Sequence, residues 1–157
     1  MSIFAEAVDA KKPRSPQSVA MARLLAGLFV VMATAQLFEF DGFLALLSTF
    51  NLPVSGLSAY ILGGVIVVSE VFSLPFLLRL PLSRAFRWVS MVCTWLVGGL
   101  WLILSLWLMV AQPAVESTGM LGTIQLIPGW WAVLVSLAFG ILAAWASWGM
   151  WPGRRRR

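Results

Sequence analysis

The 157-residue chain has no histidine, a single cysteine, a single tyrosine, and few charges: eleven basic and six acidic residues. Without histidine, the usual haem axial ligands and the common zinc and copper ligand sets are missing. One thiol, Cys93, excludes an internal disulfide and any CxxC chemistry within the chain. Set among apolar neighbours, it reads as a small packed hydrophobe. The shortage of charge excludes more. Only 11% of the residues are charged and 61% are hydrophobic, with a mean hydropathy of +0.92. Soluble domains carry about 25% charged and about 45–50% apolar residues. A chain of this size has too much surface to hide such an excess from water. The net charge of +5 does not indicate nucleic acid, because the basic residues sit at the ends of long apolar runs rather than along one face.

What is present is four apolar runs. Spanning about 30 Å of hydrocarbon takes about 20 helical residues, and segments near 20–38, 57–78, 88–110 and 130–151 meet that requirement. Strands of a membrane barrel would be shorter and alternating, and no such pattern occurs. The expected fold is therefore an all-α integral membrane protein, a four-transmembrane-helix bundle over 20–152. A polar cytoplasmic arm over 1–19 precedes it, and a basic cytoplasmic tail over 153–157 follows. Ser15 before Pro16 reads as an N-cap with proline in the first turn. Between spans 1 and 2, Phe43, Leu44, Leu46, Leu47 and Phe50 recur at helical spacing, which predicts a short amphipathic helix at the outer membrane surface.

Orientation follows from the cations. All eleven Lys and Arg lie in the arm, at Arg23, around the span 2–3 turn (Arg79, Arg84, Arg87) or in the tail. The other two connections have none and carry Glu39, Asp41 and Glu116. The positive-inside rule then expects both termini in the cytoplasm of a bacterial inner membrane. Trp88, Trp148 and Trp151 fall at the expected inner boundary and Trp107, Trp130 and Trp131 at the outer one, while Trp95 and Trp101 lie deeper, facing lipid or a cavity. Lys11, Lys12 and Arg14 ahead of Leu24–Met32 and Ala33-Thr-Ala35 resemble a signal peptide. Cleavage would remove a span that the charge count supports, so the segment is read as retained.

Glu70 is the most informative residue. An acidic side chain within a span costs roughly 2.5–3.5 kcal/mol on insertion scales, so it is expected to face the bundle interior with a partner. Two readings stay open. Glu70 carries a proton or bonds a quinone-like ligand, or it is locked to Arg23 or Arg87 as a structural ion pair. Pro75, five residues on, removes the donor for the Val71 carbonyl and favours a local kink. Gln36 and Glu39, with Asp41 just after, are expected to form an outer polar rim, either a solvated exit or a docking edge. Gly27, Gly63-Gly64, Gly98-Gly99 and Gly140-x-x-x-Ala144 are small-residue sites that permit close helix approach. No second acid lies within a span, so two-carboxylate catalysis is poorly supported. No metal site is expected.

Arg23-Leu-Leu-Ala-Gly27 opening span 1, Leu37-Phe-Glu-Phe-Asp-Gly-Phe43 at its end and Ser69-Glu70 in span 2 resemble the DoxX/MauE group. These are small four-helix membrane proteins linked to redox systems. The resemblance covers about Met21 to Leu80. It implies a bundle associated with an oxidoreductase, in settings such as quinone-linked thiosulfate oxidation, methylamine dehydrogenase maturation or oxidative-stress complexes. Arg23 and Glu70 match the group's charged positions. Gln36 stands where the group often has lysine, which weakens an anionic-ligand role. The absence of a cysteine pair favours an accessory subunit over a thiol-transfer enzyme.

The resulting expectation is an auxiliary membrane subunit of a bacterial redox system. It would dock a membrane or periplasmic redox partner and hold a quinone near Glu70, with no covalent cofactor and no nucleic acid; self-association is left open. The alternatives are a small proton-coupled transporter or channel, and a purely structural subunit. A transporter would be expected to show inverted-repeat symmetry, whereas span 2 has a buried acid and a proline and span 4 has neither.

Overall fold

A computed structural model describes residues 15–52, 57–111, 115 and 117–150. The arm over 1–14, Glu116, Trp151 and the Arg154–Arg157 tail lie outside the described residues. Among the described residues five helices follow in order: α1 (Pro16–Phe38), α2 (Phe40–Ser48), α3 (Leu57–Leu77), α4 (Arg84–Ala111) and α5 (Trp130–Met150). Four of them, all but α2, are long and apolar enough to cross a membrane. The described residues form no strand. The expected spans are matched to within a residue or two, except that α1 and α4 each begin four residues earlier.

Local chemistry sets those ends. Ser15 caps α1: its hydroxyl accepts from the Ser18 N–H at 3.2 Å, and Pro16 supplies a first-turn residue that lacks the orphan donor. Glu39 breaks the chain out of α1 with φ −136° and ψ 64°, and α2 starts at the next residue. The expected amphipathic helix is therefore present. Its apolar face, Phe43, Leu44 and Leu47, is buried. Arg79 takes a left-handed turn at the end of α3 with φ 59°. There the Leu80 N–H donates to the Pro75 carbonyl and the Arg79 N–H to the Phe76 carbonyl, the paired bonds of a Schellman stop.

The long helices close a ring, with α1 and α4 each packed against both α3 and α5. Phe29 of α1 meets Phe139 of α5 edge-on at 5.8 Å. Gly98 lets α4 lie against α5, since a Cβ there would come within 3.1 Å of the Gly140 backbone nitrogen. Gly63 seats α2 on α3, because a Cβ would meet the Leu44 side chain. Gly27, Gly64 and Gly99 face open space, so only part of the small-residue pattern is used for packing. Trp107 of α4 ties down the end of the α2 segment by donating to the Phe50 carbonyl at 2.8 Å.

α3 continues through Pro75, and a side chain of α4 supports the adjoining rung. The Ser90 hydroxyl accepts from the Phe76 N–H at 2.9 Å and donates to the Phe72 carbonyl at 2.6 Å. It thereby bridges the rung that those two groups would close with each other in an uninterrupted helix. Ser90→Ala is expected to leave both groups unpaired in a buried position and to destabilise the α3–α4 pair by about 1–3 kcal/mol. A lower thermal midpoint in detergent for Ser90→Ala, with Ser90→Thr close to wild type, would show it.

Candidate functional site: a buried carboxyl–amide centre under a folded loop

Glu70 lies 13 residues after the start of α3 and 7 before its end, so its Cα is ~20 Å and ~10 Å from the two ends of that helix. Its side chain is completely buried. One carboxylate oxygen, Oε1, accepts two bonds, from Gln36 Nε2 at 3.2 Å and from Trp101 Nε1 at 3.2 Å. The same Gln36 nitrogen also donates to the Met120 backbone carbonyl at 3.3 Å. Three helices and the α4–α5 loop thus converge on two polar side chains.

The donors and acceptors do not balance. Gln36 Oε1 and Glu70 Oε2 are both buried with no hydrogen-bond partner among the described residues. Leaving such an atom unpaired costs about 1–3 kcal/mol, and more for a charged group. With the carboxyl ionised both orphans are acceptors, and the centre is then short of donors rather than of acceptors.

The donors to Glu70 are an amide and an indole rather than the arginines considered from the sequence. Gln36 is 13 residues beyond Arg23 on α1, and Trp101 is 14 beyond Arg87 on α4, so each arginine sits ~20 Å along its helix from the level of the carboxyl's partner. Arg23 is exposed, and Arg87 is half-buried near the start of α4. Gln36 also departs from the expected polar rim. It is fully buried, while Glu39 and Asp41 are exposed. A three-residue spacing places two side chains on one face only while the helix continues, and α1 stops at Phe38.

Sequence reasoning missed Trp101, Met120 and the inward position of Gln36. A signal for Gln36 was available: it falls in register with the buried Ala22, Leu25, Phe29, Met32 and Ala33 of α1. Trp101 likewise shares its stripe with the buried Val97, Leu104 and Leu108. Nothing local could have indicated Met120, which arrives from a loop 50 residues further along the chain than Glu70.

That loop is built to fold inward. The Ser117 hydroxyl donates to the Ile124 carbonyl at 2.7 Å, and the Thr118 N–H donates to the Leu126 carbonyl at 2.9 Å. Gly119 and Gly122 take φ +77° and +63°, values that suit glycine because it has no Cβ. Gly122 lies directly on α1, where a Cβ would stand 2.5 Å from the Ala35 carbonyl oxygen. Thr123 then donates to Glu39 Oε2 at 2.9 Å. The exposed Glu39 thus anchors the loop. Met120, between the two glycines, is only 3% exposed.

A separate groove of about 400 Å³ lies between α1 and the loop, lined by Val30, Val31, Thr34, Ala35, Phe38, Leu121, Thr123 and Ile124. At 100° per residue its α1 residues centre on the side opposite the stripe that carries Gln36. It is therefore not an entrance to the carboxyl. Among the described residues no group of three or more acidic, cysteine or histidine side chains could hold a metal ion.

No protein-family model, curated protein or solved structure matches the chain.

Proposed function

We propose that the chain is an auxiliary membrane subunit of a bacterial redox system, docking a partner oxidoreductase and holding a quinone-type carrier at the Glu70–Gln36 centre. The observation that carries this reading is the pair of unpartnered acceptors on a carboxyl and an amide buried together in an apolar bundle, which the two hydroxyls of the carrier's reduced, hydroquinone form can satisfy. A brace selected only for stability would satisfy those atoms or replace them with apolar side chains. Indole, amide and carboxyl groups among apolar helices supply the few polar contacts and the oily surroundings that a lipophilic carrier requires. The resemblance of the first two spans to the DoxX/MauE group supports the redox setting. Glu70→Gln is expected to reduce the quinone co-purifying with the protein at least ten-fold. Unchanged quinone content and unchanged partner activity would end the ligand role.

The second reading is a proton-coupled transporter, favoured by the absence of an arginine among the hydrogen-bond donors to Glu70. A carboxyl free of a fixed cation can exchange a proton. Flux by the protein alone in proteoliposomes would put this reading first.

The proposed setting is the cytoplasmic membrane with both termini and the α3–α4 turn in the cytoplasm. Its support is the distribution of lysine and arginine along the chain. Cysteine-accessibility labelling should find Ser83→Cys reactive only from the cytoplasmic side, in a Cys93→Ser background. Labelling from the periplasm would reverse the orientation.

A further inference from the structure

We infer that the Gly119–Gly122 segment occupies the ligand's place, with the Met120 carbonyl standing in for a ring carbonyl of the carrier. This inference rests on the quinone-type reading of the Glu70 centre and says how the site is filled and emptied. Three independent observations support it. First, Gln36 Nε2 has two hydrogens, one on Glu70 and one on the Met120 carbonyl. The second is the only bond of the pair made to a part of the chain outside the long helices. The oxidised carrier offers carbonyl acceptors, so one ring oxygen can replace the Met120 oxygen on the same N–H without disturbing the Gln36–Glu70 bond. In the reduced form the ring hydroxyls also supply the donors that Gln36 Oε1 and Glu70 Oε2 lack. Second, the Met120 side chain is buried although it belongs to a loop. Its withdrawal would clear both a polar position and apolar volume beside it. Third, the segment is bounded by two glycines in left-handed conformations, and on its exposed side the Thr123 hydroxyl fastens it to Glu39 at the end of α1. A loop fastened in this way can leave as a unit, because its internal Ser117–Ile124 and Thr118–Leu126 bonds move with it.

Gln36 is then the residue that anchors the carrier, and Glu70 positions it. The Thr123–Glu39 contact sets how readily the segment gives way, so loop and ligand compete for a single donor. Binding of a short-tailed decyl-benzoquinone to the protein in nanodiscs tests this. Thr123→Val, which cuts the exposed contact and touches no part of the centre, is expected to tighten binding roughly five-fold, the equivalent of one modest hydrogen bond. Gln36→Leu is expected to weaken it at least ten-fold. In the wild-type protein, saturating quinone is expected to speed amide exchange over residues 117–126. If Gln36→Leu does not fold, the Thr123→Val affinity and the wild-type exchange decide the matter. Quinone binding that Thr123→Val leaves unchanged or weakens, with exchange over 117–126 unchanged or slowed, would overturn displacement and leave the carrier reading standing. Absence of binding to both wild type and Thr123→Val would remove both together.

Discussion

Replacing Glu70 with glutamine is expected to make the protein more stable while, on the proposed reading, removing carrier binding. The amide keeps an oxygen where Oε1 now accepts from Gln36 and Trp101. In place of the unpartnered Oε2 it brings a donor, and the bonded Gln36 has an acceptor without a partner. It also removes a buried acid that no described cation bonds. The expected gain is about 1–2 kcal/mol, or roughly 2–4 °C in unfolding midpoint for each kcal/mol at this chain length. Loss of bound quinone alongside that gain would identify Glu70 as a group retained at the expense of stability, the usual signature of a functional position. A structural brace gives the opposite result. In that case Glu70→Gln unfolds at a lower temperature and changes assembly but not ligand content. Thermal unfolding in detergent and quinone extraction from one preparation separate the two.

The second large effect is expected at Gly122. Valine there must take φ +63°, which L-residues avoid by roughly 1–2 kcal/mol. Its Cβ would also stand 2.5 Å from the Ala35 carbonyl oxygen, a backbone atom of a packed helix that cannot move aside. The loop has to lift. A loss of about 2–4 kcal/mol is expected from the two effects together. The local consequence is more specific than the global one. With the segment displaced, the Met120–Gln36 bond breaks and the carboxyl centre opens at the end of the bundle where α1 meets α2. Amide exchange over 117–126 should accelerate far more than over α4 or α5. Uniform acceleration across all helices would show that Gly122 supports the whole bundle rather than the loop over the site.

Much of the architecture was legible along the chain. Run lengths located the four long helices, Ser15-Pro16 marked a helix start, and the Phe43–Phe50 spacing marked the short one. The presence of an acid at position 70 within an apolar run was enough to send it to the interior, because hydrocarbon does not solvate a carboxyl. Which groups would meet it there was not legible. In a membrane bundle the lipid is as apolar as the core, so neighbouring residues such as Leu24 and Leu25 are chemically the same although one is 53% exposed and the other fully buried. Helix rotation therefore leaves little trace in hydropathy. The partners of Glu70 come from α1, α4 and a distant loop, and they meet only because α1 ends partway along α3, under α2 and the folded loop. The bridging of the Phe72–Phe76 rung beside Pro75 by Ser90 is of the same kind. Water and oil, acting on single residues, determined what lies inside the membrane. The close fit of one backbone against another decided which polar groups stand together and which two acceptors are left without a donor.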